Sequence, residues 1–317
     1  MTPQEFSRRH EPAWAAFEAM LTDKQALRSE DFPREYRRIC THLALARDRH
    51  YPLALVDRLN RMALEGQQRL YRHQGGLREA VFAFLSGGFP ALVRKYRHLF
   101  WISALVFYLP LFLSAFLTWR YPELVYSVLP VESVKSFESM YAPDNPMIGS
   151  RGDDSRFMMF GYYVQHNTGI GFQTFAGGFF AGIGSLFFLL YNAIQIGAVA
   201  GHLIQVGFHE NFLSFVVTHG AFELTAIVLS GMAGLLLGLA FLSPGRLTRR
   251  DALILQGREA IRLVYGAAAL FLLAALVESF WSSQTAIAPL VKFVVGGCAW
   301  LLVAGYFTLA GRRFHAP

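Results

Sequence analysis

Charge is scarce in this chain. Of its 317 residues 16% are charged, against 54% hydrophobic and 15% aromatic. Soluble domains usually carry about 25% charge, so an ordinary soluble globule is excluded as a description of the whole. The scarcity is also local. Residues 1–98 hold 17 of the 29 Lys and Arg, and 11 of the 22 Asp and Glu. Residues 157–242 hold two formal charges, Glu210 and Glu223. Cysteine is nearly lacking: Cys40 lies in the polar part and Cys298 in an apolar segment. Two such residues exclude a disulfide framework and a cysteine-based zinc site. Residues 1–30 lack an apolar h-region, so no cleavable signal peptide is expected. No H-E-x-x-H, G-x-S-x-G or Walker A loop occurs. No catalytic residue, cofactor or resident metal is therefore implied, and the chain is not expected to be an enzyme.

What is present is long apolar runs. Six lie near 99–119, 158–181, 185–207, 214–242, 262–280 and 289–310. Each has about the 20 residues a helix needs to cross ~30 Å of hydrocarbon. The second and third run on as residues 157–208, broken by "AGIGS". Two helices joined by a tight turn fit that length. A re-entrant pair is the alternative, because His166, Asn167 and Gln173 weaken the second run.

The basic residues sit at the ends of these runs: 94–98 before the first, 245–262 between the fourth and fifth, and 311–313 after the sixth. The opposite connections, "GFHENFLS" and "SFWSSQTAIA", have no Lys or Arg. The positive-inside rule then places both termini in the cytoplasm of a bacterial inner membrane. It also explains a pI near 9.5 without nucleic acid, for which no motif is present. Residues 120–156, with Pro122, Pro130, Pro143 and Pro146, form the one substantial external segment.

Residues 1–75 read as amphipathic helices of a small cytoplasmic domain. Phe6, Trp14, Phe17 and Leu21 share one face, Tyr36, Ile39, Cys40 and Leu43 a second, and Leu55, Leu59, Met62 and Leu70 a third. Such stripes are ordinarily core. Residues 76–98 carry Leu77, Val81, Phe82, Phe84, Leu85 and Phe89 around Gly87-Gly88 and Pro90, which predicts an interfacial elbow helix leading into the first span. The fold expected is all-α: a polytopic membrane bundle over 99–317, the elbow, and the N-terminal helical domain.

Polar groups inside spans are costly and are normally paired or face a cavity. His166, Asn167, Asn192, His202, His219, Glu223 and Glu278 form the candidate intramembrane cluster. His219 and Glu223, at i and i+4, share a helix face. Three readings stand: a packing knot, a proton, cation or ligand path, and a metal site, since imidazole and carboxylate hold zinc. Glu278 and Lys292 have a blander reading as snorkelling interfacial residues. Gly178-x-x-x-Gly182, Gly197-x-x-x-Gly201 and Gly234-x-x-x-Gly238 are small-residue stripes on consecutive spans, suited to close helix packing or to a dimer face.

The run "NTGIGFQTFAGGFFAGIGSLFFLLYNAIQIGAVAG" followed by "HGAFELTAIVLSGMAGLLLG" resembles the stage II sporulation protein M family of integral membrane proteins. Asn167, Asn192, His219, Gly220, Glu223, Leu224 and the later Glu278 carry the resemblance. Ala193 stands where Gly is common, and Thr225 where Pro is common. The resemblance implies a membrane scaffold that holds peptidoglycan-remodelling or other envelope proteins, in some members beside an AAA-type ATPase. A channel or transporter using the polar cluster is the alternative, and an intramembrane metal-dependent enzyme a third reading. A homodimer is the default assembly, two-fold symmetry being commonest.

Overall fold

A computed structural model describes residues 2–23, 31–70, 77–143 and 153–312. Leu70's side chain, Pro146 and Arg313 fall outside the described residues. The described chain is helical, without a strand, and divides into two compact units, Met1–Ala80 and Val81–Pro317.

The first unit contains α1 (Pro3–Thr22), α2 (Asp31–Asp48) and α3 (Leu53–Leu70). Thr2 and Glu5 form a reciprocal capping box that satisfies orphan amides at the start of α1. Phe6, Trp14, Phe17 and Leu21 of α1 are buried with Phe32, Ile39 and Leu43 of α2 and Leu59 and Met62 of α3. Tyr36, Cys40 and Leu55 pack partly buried at its edge. Arg58 ties α3 to α1 by a bidentate bridge to Glu18 and a 2.8 Å contact with Glu11.

The second unit opens with α4 (Leu77–Ala83), a π-turn over Phe84–Gly88 and α5 (Phe89–Lys95). Here the structure departs from a simple interfacial helix. Val81 and Phe82 are exposed, but Phe89, Leu92 and Val93 are buried in the bundle. The π-turn aims Phe89 at Gly266, where any Cβ would meet its ring. Arg94 donates to the Phe307 carbonyl at 2.8 Å, and Tyr306 to that of Leu85.

α6 (Arg97–Arg120) follows, then a short turn, α7 (Val125–Val128) and α8 (Val131–Tyr141). Next come α9 (Asp153–Ala176), α10 (Ile183–Gln205), α11 (His209–Leu242), α12 (Arg249–Val277) with a closing π-turn Glu278–Ser282, and α13 (Pro289–Leu309). Among the described residues, five helices are long and apolar enough to cross a membrane: α6, α10, α11, α12 with its π-turn, and α13. The second expected span, α9, is a helix too polar to join them, for its Gln165, His166, Asn167 and Gln173 lower the mean hydropathy.

α11 is the hub: 78% of its apolar window is buried, against 28–39% in the other four. Glycines let neighbours approach it. A Cβ on Gly178 would strike the Gly234 backbone, and one on Gly238 would strike that of Gly182. Gly182, at φ +83°, turns the chain from α9 into α10. That turn lies beside the last third of α11. Gly171, one step back along α9, sits against Ser230 and Phe271. α9 and α10 therefore form a hairpin that runs along most of α11. Gly197 and Gly201 seat α10 on α6, against Leu111, Ser114, Ala115 and Thr118. Gly296 seats α13 on Val217.

Candidate functional site

The i, i+4 pair on α11 meets a third group from α12. The metal-ligating atoms of His219, Glu223 and Glu278 all lie within 4.8 Å of one another. His219 Nε2 and Glu223 Oε2 are 3.9 Å apart. His219 and Glu278 are buried and Glu223 is half-buried. α12 ends at Val277, and the wider π-turn that follows rotates Glu278 toward α11 and brings Ser282 onto the same side. Ser282 Oγ lies 3.1 Å from His219 Nδ1. The Ser282 carbonyl accepts from Lys292 Nζ at 2.8 Å. Thr218 donates to the Lys292 carbonyl, closing the link between α11, the π-turn and α13.

From α9, Asn167 and Tyr163 face the Glu278 carboxyl. Asn167 is buried, yet its Nδ2 has no hydrogen-bond partner. Glu278 Oε2 is likewise unpartnered. Most buried polar groups are satisfied, so a buried carboxylate oxygen without a partner marks a site with an acceptor to spare. Chemically, the cluster joins one imidazole and two carboxylates, groups able to share protons or to bind a cation.

The sequence places four of its candidates here: His219, Glu223, Glu278 and Asn167. The other three lie elsewhere. His166 is exposed and stacks on Tyr162, ring centroids 5.6 Å apart. It adjoins Asn167, and neighbours on a helix point about 100° apart, so the two cannot both face the core. Asn192 donates to the Phe188 carbonyl of its own helix at 2.7 Å. His202 is buried and pairs with Glu138 of α8, Nε2 to Oε1 at 2.7 Å. Lys292 does not snorkel; it is buried on the Ser282 carbonyl. Sequence reading missed Ser282 and Tyr163. Ser282 carries no signal of its own, but it stands four residues after Glu278, one turn along the same segment.

The connection between α6 and α9, expected to be external, is helical in α7 and α8. His202–Glu138 and a 3.1 Å bond from Asn211 to the Tyr141 carbonyl fasten α8 to the bundle end formed by α10 and α11. Tyr141, Leu203 and Phe212 pack there as a small core of their own.

Residues 100–283 match the family model described as Stage II sporulation protein M. Residues 4–72 match a second model, Domain of unknown function (DUF8413). Searches of curated proteins and of solved structures find no match.

Proposed function

Because the chain belongs to the stage II sporulation protein M family, we propose that it is a membrane scaffold, a non-enzymatic partner subunit of a cell-envelope complex in the bacterial inner membrane. The observation that carries this reading is the fastening of α8 to the bundle end. An anchored helical segment beside a glycine-locked core offers a partner a surface of fixed shape, which lowers the ordering cost of binding. With both termini cytoplasmic, α8 faces the cell wall and residues 1–80 face the cytoplasm. The partners are then envelope or peptidoglycan-remodelling proteins on one side and an AAA-type ATPase on the other, with a homodimer as the assembling unit.

Photo-crosslinking in native membranes tests the reading. Probes at Tyr126 and Val131, both exposed, should yield a discrete adduct that mass spectrometry identifies as an envelope protein. A probe at Leu113, exposed in the middle of the apolar helix α6, should not. Identical patterns at all three positions, or none, refute the scaffold.

The convergence of His219, Glu223 and Glu278 favours a second reading, a proton or cation path. Flux into liposomes that Glu223→Gln abolishes in a folded protein would replace the scaffold with a transporter.

A further inference from the structure

We infer that His219, Glu223 and Glu278 bind a divalent cation of the zinc class, with the imidazole Nε2 and two carboxylate oxygens as protein ligands. The inference stands apart from the scaffold reading, since a scaffold and a transporter are equally able to hold such an ion.

Charge is the first argument. Two carboxylates within 4.8 Å of each other sit in a bundle of apolar helices. Burying charge without compensation costs several kcal/mol per group in order of magnitude. Among the described residues the one buried cation nearby, Lys292, is spent on the Ser282 carbonyl. A dication with two carboxylates and a neutral imidazole sums to zero.

Orientation is the second. A ligating histidine is usually held by a hydrogen bond from its other ring nitrogen. Ser282 Oγ at His219 Nδ1 supplies that hold. With the proton on Nδ1 the Nε2 lone pair is free, and Nε2 is the nitrogen turned to Glu223.

Geometry is the third. Zinc binds N and O donors at about 2.0–2.2 Å, which sets tetrahedral donors roughly 3.4 Å apart. The 3.9 Å separation of Nε2 from Glu223 and the 4.8 Å limit for the set are closed by small side-chain rotations. Glu278 Oε2, buried and without a hydrogen-bond partner, is the independent sign that the cluster has an acceptor to spare. Three protein ligands also leave a coordination position beside Asn167 and Tyr163, as zinc sites with an exchangeable ligand do.

The test uses the full-length protein in detergent, with any affinity tag removed. After loading with zinc and exhaustive dialysis, elemental analysis should find about one zinc per chain. Glu278→Gln and His219→Asn should each lower this at least tenfold, while Glu138→Gln, at the separate His202 pair, should retain it. X-ray absorption should show nitrogen and oxygen neighbours and no sulfur, which excludes Cys40 and Cys298 as the source. Zinc should also raise the melting temperature of the wild type but not of Glu278→Gln. If a variant fails to fold, the wild-type stoichiometry and absorption spectrum decide alone. Wild type that keeps less than about a tenth of an equivalent, a sulfur shell, or variants that bind as the wild type does would overturn the site.

Discussion

A buried imidazole in the N-terminal unit shows how one residue ties stability to pH. Trp14 Nε1 donates to His42 Nδ1 at 3.0 Å, so Nδ1 must stay unprotonated. His10 lies tilted against the same ring, centroids 4.1 Å apart. Burial pushes His42 down from 6.5 to about 4, and the charges of His10 and Arg38 push the same way. The sign follows. The folded state prefers neutral His42, so its contribution is fully present above pH 6.5 and is lost as pH falls toward 4. Histidine NMR of the full chain should show one ring, absent in His42→Asn, that titrates near 4 in place of 6.5. A normal midpoint would mean that the Trp14 bond does not hold. The intramembrane residues teach a related lesson. Spacing made His219 and Glu223 legible as a pair, because i and i+4 share a face in any helix. Nothing local could show that His202 finds Glu138, 64 positions away.

At the scale of elements, glycine decides which helices touch. The α9–α10 turn meets α11 backbone to backbone at Gly178–Gly234 and Gly182–Gly238. Ser185 Oγ donates to the Thr174 carbonyl at 2.7 Å and lies in the notch above Gly234. Gly234→Val would force these backbones apart. Overpacking typically costs about 1–3 kcal/mol, and a rigid backbone neighbour places this case at the upper end. Thermal unfolding in detergent should fall by several degrees. Gly297 of α13 is exposed, with open space around it, so Gly297→Ala should leave the midpoint unchanged or slightly higher. Equal losses in both variants would remove the close-approach argument. The three stripes read from the sequence do lie at close contacts, but Gly178 and Gly182 stand in the turn between α9 and α10 and not on a span. The two π-turns, Phe84–Gly88 and Glu278–Ser282, were not legible. A single widened turn leaves no trace in periodicity, yet one buries Phe89 and the other turns Glu278 to His219.

For the whole molecule, direction in the membrane joins these parts. Lys95 pairs with Glu259 at 2.6 Å, with Tyr96 on the same carboxylate. Gly311, after α13, packs on Gly87. The basic connections read from sequence thus converge on one end of the bundle, with the α9–α10 turn lying toward it beside Gly234 and Gly238. The polar cluster lies well toward the other end: His219 and Gly234 are separated by 15 residues, about 22 Å of helix. Six passes, counting the polar α9, bring both termini to the basic side; a shallow α9–α10 loop removes two passes and leaves four, which keeps the termini together but holds the hairpin turn away from that side. Single cysteines in a Cys40→Ala, Cys298→Ala background distinguish these cases with an impermeant thiol reagent. Ser127→Cys should label on intact spheroplasts. Ser243→Cys and Phe180→Cys should label only after the membrane is opened, because Phe180 is the exposed tip of the hairpin turn. If Phe180→Cys labelled with Ser127→Cys, the hairpin would not reach the basic side and α9 would not cross; Ser243→Cys labelling on intact spheroplasts would overturn the cytoplasmic placement of both termini. If Phe180→Cys follows Ser243→Cys, α9 crosses despite its polar residues. Its Asn167 then enters the membrane as a neighbour of Glu278.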